Sequence, residues 1–196
     1  MSAFAEPLRR MGYQIVVFDL PAHGRSEGTR TNLAACARAA HRVAEQWSPI
    51  KGIVSHSFGG LVALWIAEGG PPLPSAVPVE KLALLACPDR LIDVTREFGA
   101  DRELEPKAQL GFETRIERIG HRPVSGFSAT TLLKRIASPV MLAHSADDND
   151  VVFSNAQTIA ANHPRVRLSA YEGLGHAGLL FDTAVIRSAM TFIGQA

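Results

Sequence analysis

Ser57 lies at the centre of Ser55-His56-Ser57-Phe58-Gly59-Gly60, and its hydroxyl is a candidate nucleophile. A short apolar segment, residues 50–54, precedes this stretch, and a longer one, residues 61–67, follows it. A strand that feeds a helix through a tight turn presents one hydroxyl at the tip of the turn. Small residues at Ser55 and Gly59 let the chain bend there without a side-chain clash. The helix that follows would aim its N-terminal N–H groups at the same point, where negative charge would be stabilised. The chemistry implied is acyl transfer, provided that a base and an orienting acid lie elsewhere in the chain.

A serine hydroxyl needs a base within hydrogen-bond reach, and the base needs an acid to fix its tautomer. Of seven histidines, His176 stands out, because it follows the last apolar strand within Glu172-Gly173-Leu174-Gly175-His176-Ala177-Gly178. His144 reads as a core residue within a strand. His56 adjoins the serine, but neighbouring side chains on such a turn are expected to point apart. His23 lies in a Pro-Ala-His-Gly loop, and His41, His121 and His163 fall in helical or exposed contexts. For the acid, Asp147, Asp148 and Asp150 directly follow a strand. One could reach His176 while the others cap a helix starting near Ser154. The spacing alone does not choose among them.

The elements that must position these groups alternate along the chain. Apolar runs at 14–19, 50–54, 81–87, 139–144 and 165–171 read as strands, the first of them buried on both faces. Residues 3–11, 32–47, 154–162 and 183–193 read as helices. Strands alternating with helices imply an α/β fold, a mostly parallel, doubly wound sheet covered on both faces. Residues 89–138 break the rhythm, being more charged and without a clear strand. They read as a helical cap or lid insertion between the two parts of the core, 1–88 and 139–196. Ligands of such sheets bind at the carboxyl ends of the strands. The turn at Ser57 and the loops after Asp19, Ala143 and Tyr171 would all lie there.

The bulk properties exclude several classes of function. The chain has 196 residues, 46% apolar and 20% charged, with a net charge of +1. One globular domain with a substantial core is expected. The charge balance gives no electrostatic case for nucleic acid or an anionic membrane. No apolar run approaches the ~20 residues of a membrane span. Cys36 and Cys87 are the only cysteines and have no metal-ligand spacing, which fits a reduced, cytoplasmic setting and no metal site. No dinucleotide or P-loop fingerprint follows a strand.

Taken in order, four blocks resemble the α/β-hydrolase superfamily, in its single-domain esterase/lipase-like branch. Residues 18–28 resemble the D-x-x-G-x-G-x-S loop, with Ala22-His23-Gly24 where G-H-G is common. Residues 55–60 resemble the nucleophile elbow, with Ser55 in place of the usual first glycine. Residues 144–152 resemble the H-G-x-x-D-x-x-V acid loop, and residues 172–176 the histidine loop. The resemblance covers almost the whole chain. It implies Ser57 as nucleophile, His176 as general base and then acid, and Asp148 as its orienting acid, with Asp147 the runner-up. It also implies the Phe58 backbone N–H as one oxyanion donor, no metal or organic cofactor, and a small-molecule acyl substrate. The reaction implied is hydrolysis of carboxylic esters through an acyl-enzyme. The same triad also serves acyltransferases, thioesterases and C–C hydrolases.

Against the family pattern, the chain looks N-terminally truncated. The run at 14–18 matches the family's fourth strand, and neither the interior third strand nor its His-Gly oxyanion loop is found before it. The runs at 14–18 and 50–55 would then flank a gap of about two strand spacings, roughly 10 Å. They would have to pair with each other, borrow a strand from another chain as a homo-oligomer, or leave backbone donors without partners. A non-catalytic fragment that keeps the fold is the alternative reading.

Overall fold

Alternating apolar runs build a four-stranded parallel sheet in the computed structural model of the protein, which describes residues 1–195. In chain order the elements are α1 (Ser2–Arg10), α2 (Leu33–Trp47), β1 (Ile50–His56), α3 (Phe58–Glu68), β2 (Val79–Leu85), α4 (Leu91–Asp101), α5 (Pro106–Gly120), α6 (Ala129–Leu132), β3 (Val140–Ser145), α7 (Ser154–Asn162), β4 (Val166–Tyr171), α8 (Gly175–Gly178) and α9 (Thr183–Gly194). The spatial order is β1-β2-β3-β4, with every neighbouring pair parallel. Each connection therefore steps the chain one place in the same direction. Right-handed crossovers of that kind put α3, the segment after β2 and α7 on one face.

The period-two pattern of the strands divides the core. Leu82, Leu84, Val140 and Leu142 face a large cluster with α2, α3, α6 and α7. Their neighbours Ala83, Leu85, Met141 and Ala143 face a second cluster with Phe4 and Leu8 of α1 and Val185, Ala189 and Phe192 of α9. Local caps fix two of the helices. Asn32 accepts from the Ala35 N–H at 2.9 Å, and Asp182 accepts from Ala184 and Val185 at 2.8 and 3.0 Å.

The segment 89–138 is helical, as its composition implies, with a single isolated antiparallel bridge between Arg90 and Ser128. Much of it joins the core. Phe127 lies edge-on to Trp65 of α3 with ring centroids 4.6 Å apart. Arg122 lies over both rings and pairs at 3.1 Å with the buried Glu68 carboxylate. Leu91 and Phe127 are buried, whereas Phe98, Leu104 and Leu110 remain exposed. Phe127 makes the largest apolar contribution of this segment to the core. Phe127→Ala is expected to cost about 3–5 kcal/mol of stability, read as a lower urea midpoint at constant m value.

One expected strand does not form. Residues 14–19 join no ladder, so Val16 and Val54 are not hydrogen-bonded neighbours. Val16, Val17 and Phe18 are 40%, 63% and 42% exposed, where burial on both faces is the sequence expectation. The reason is physical. β-propensity measures how well side chains fit a paired, half-buried surface, and this run is held at its ends by local turns instead. At one end Tyr13 N donates to Leu8 O at 3.3 Å. At the other, the Asp19 carboxylate accepts from Arg25 N at 2.9 Å and its carbonyl from Ser26 Oγ at 2.7 Å. β1 thus pairs with β2 alone, and most of its residues are only half-buried.

Candidate active site

Ser57 stands between β1 and α3 with φ 54° and ψ −132°. A non-glycine residue at positive φ is strained by about 1–3 kcal/mol and persists only where its surroundings hold it. Here Ser57 N donates to Leu85 O of β2 at 2.8 Å, and Gly60 N returns to Ser57 O at 2.8 Å. A Cβ on Gly60 would collide with the Cys87 thiol, so only glycine lets α3 start this close to the end of β2. Among the described residues the Phe58 N–H has no acceptor, and it opens the first turn of α3.

At the ends of β3 and β4 the adjacent carboxylates divide. Asp148 is buried, and its Oδ2 accepts from His176 Nδ1 at 2.9 Å. Its Oδ1 accepts from the Asp150 and Val151 N–H groups, each at 2.9 Å. The buried His144 supports the same carboxylate, with Nε2 2.6 Å from Val151 O and 3.3 Å from Asp148 Oδ2. With Nδ1–H given to Asp148, the Nε2 lone pair of His176 is free to take a proton.

Asp147 turns to the histidine loop instead. It accepts from Ser145 Oγ, from Gly173 N at 2.9 Å and from Gly175 N at 3.3 Å. Gly173 and Gly175 adopt φ of 73° and 54°, so the loop needs both its glycines and these anchors. The expectation that the spare aspartates cap the helix near Ser154 fails. Phe153 is the N-cap of α7, with no side-chain cap bond, because Asp147 is engaged across the sheet.

The Ser145 hydroxyl, first, and then the loop N–H groups hold the Asp147 carboxyl below its ordinary 3.8. A lowered value means that the anchor is complete above 3.8 and is lost as pH falls through the folded value, below 3.8. In a carboxyl-carbon NMR titration Asp147 is therefore expected to titrate below 3.8, with the Gly173 and Gly175 amides following the same midpoint.

Two histidine placements go beyond what the sequence indicates. His41 is buried, with Nε2 2.9 Å from Ser75 O. The His56 ring lies 4.5 Å from that of His176, tilted by 52°. Its Nε2 is 2.9 Å from the His176 carbonyl. Ser57 Oγ makes no hydrogen bond among the described residues, but its chain neighbour His56 puts the elbow beside the His176 ring. Such bonds often close only around substrate. Asp148, Asp150 and His176 place ligand atoms within 4.8 Å of one another, yet the Asp148 oxygens and His176 Nδ1 are already engaged with each other and with loop N–H groups.

At the carboxyl end of a parallel sheet the chain thus brings a strained serine turn near a histidine–carboxylate pair. The model of the alpha/beta hydrolase family matches residues 2–188, and the chain belongs to that family. No curated protein matches it. Among solved structures it is similar to the protein Rv0554 of Mycobacterium tuberculosis, at 18% identity and a TM-score of 0.72, over 97% of this chain and 84% of that one. It is similar to a protein described as a non-heme bromoperoxidase, BpoC, of M. tuberculosis H37Rv, at 16% identity and 0.70, over 97% and 85%. It is also similar to the esterase EaEST of Exiguobacterium antarcticum, at 16% identity and 0.68, over 99% and 86%. At these identities the likeness concerns the fold. No helix among the described residues is long and apolar enough to cross a membrane.

Proposed function

We propose that the chain is a serine hydrolase of carboxylic esters. The observation that carries this reading is the 2.9 Å bond from His176 Nδ1 to the buried Asp148, beside a serine at positive φ. In the proposed reaction His176 Nε2 takes the Ser57 proton as Oγ attacks the ester carbonyl. The tetrahedral oxyanion forms against the Phe58 N–H at the start of α3. His176 then gives the proton to the leaving alcohol, and water, deprotonated by the same ring, releases the acid. Asp148 keeps the imidazole in the required tautomer and stabilises its charged form. The helical segment 89–138 is read as a cap that would select the acyl group, with Phe98, Leu104 and Leu110 its available apolar side chains. A cytoplasmic setting suits the two buried, unpaired thiols of Cys36 and Cys87.

A second reading, a chain that keeps the site but turns over slowly, is favoured by the unpaired run at 14–19. The strand slot beside β1 is where the family's second oxyanion donor would arise. An open slot of this kind also suits association through the sheet edge. Fluorophosphonate labelling tests the proposal. The wild type is expected to be labelled and Ser57→Ala not; equal labelling of both, or of neither, overturns it.

A further inference from the structure

His56 makes two contacts with His176 across 120 residues of sequence, and neither belongs to the triad. The His176 carbonyl can only accept, so His56 Nε2 must carry a hydrogen. The loop that bears His176 is otherwise held short of it. Asp147 binds the N–H groups of Gly173 and Gly175, and Ser145 Oγ accepts from Leu174 N at 3.2 Å. The helix that follows, α8, is a single turn. Among the described residues His56 alone bonds the peptide of His176 itself, and it does so from the strand that leads to Ser57.

We propose that His56 is a positioning residue for His176: its Nε2–H holds the His176 carbonyl and its ring backs the His176 ring, fixing the imidazole relative to Ser57. The proposal rests on the hydrolase reading above. Burial, the largest influence, pushes the His56 pKa down against the opposing effect of its bond to the His176 carbonyl. His56 thus stays neutral and places no positive charge against His176 when that ring carries a proton. The tether also gives the elbow and the histidine a common support, so that a shift of one is transmitted to the other. A displacement of about 1 Å between reacting groups can cost on the order of 10²-fold in rate.

The test compares His56→Phe, which keeps a ring and loses the donor, with His56→Gln, whose amide nitrogen reaches a similar point. His56→Met replaces the phenylalanine variant if that variant does not fold. With a short-chain aryl ester, His56→Phe is expected to lower kcat on the order of tenfold with KM within about twofold. His56→Gln is expected to restore kcat to within about threefold. The downfield proton of the His176–Asp148 bond, read by NMR, should persist in the glutamine variant and exchange away in the phenylalanine one. Equal losses in both variants, or a phenylalanine variant with wild-type kcat and an intact downfield proton, overturn the proposal. If fluorophosphonate labels neither the wild type nor Ser57→Ala, the hydrolase reading fails, and the downfield proton still decides the tether.

Discussion

Ser57→Ala is expected to lower turnover of a short-chain aryl ester about 10³-fold, to within reach of the uncatalysed background. Removing the nucleophile of such a triad alone can cost more, because the base and acid act only through it. The alanine variant should fold as well as the wild type, since Ser57 Oγ holds no hydrogen bond among the described residues and a residue without a γ-oxygen tolerates φ 54° no worse. Parallel measurement of kcat and melting temperature checks this. A loss of kcat without a loss of stability is the expected outcome, and turnover unchanged by the substitution would sink the assignment of Ser57.

The second large effect separates two neighbouring carboxylates. Asp148→Asn is expected to lower kcat about 10²–10³-fold, whereas Asp147→Asn should lower it less than about tenfold. Asparagine at 148 keeps the shape but can present an N–H to His176 Nδ1. That favours the tautomer with its hydrogen on Nε2, where the lone pair is needed. The two N–H groups of Asp150 and Val151 orient the side chain, so its oxygen remains on Oδ1 and its amide faces the imidazole. At 147 the partners are a hydroxyl and loop amides rather than the imidazole, so the same change weakens an anchor and leaves the tautomer alone. Steady-state kinetics of both variants on one ester decide the matter; equal losses would reassign the acid.

Much of this was legible in the chain. The runs at 50–54, 81–87 and 139–144 form strands because apolar stretches between turn residues suit a covered parallel sheet, and 165–171, where Val166, Leu168 and Ala170 alternate with Arg165, Arg167 and Ser169, forms the edge strand. The order of serine, aspartate and histidine along the chain follows from the ends of those strands. The run at 14–19 shows the limit of this reasoning. Its residues have the composition of a strand, but pairing is a property of two segments, and local turns hold this run out of the sheet. His56 shows another. Local geometry at the turn says nothing of the histidine loop, which meets His56 from 120 positions away. Asp147 and Asp148 differ in nothing that spacing records, and only the direction each faces across the sheet distinguishes them.

The strand β1, which leads into the Ser57 turn, is laddered along one side only. Its ladder runs to β2, and the last bond of that ladder region, Ser57 N to Leu85 O, is what fixes the elbow. Mechanically, Ser57 sits at the tip of a cantilever. Its placement relative to His176, which rides on the opposite half of the sheet, is carried through β2 and β3 in series, with the His56 contact as a direct strut across. Catalytic groups need placement to within about 0.5 Å. In this protein the stiffness that supplies it is concentrated in the central strands rather than shared by both neighbours of the nucleophile.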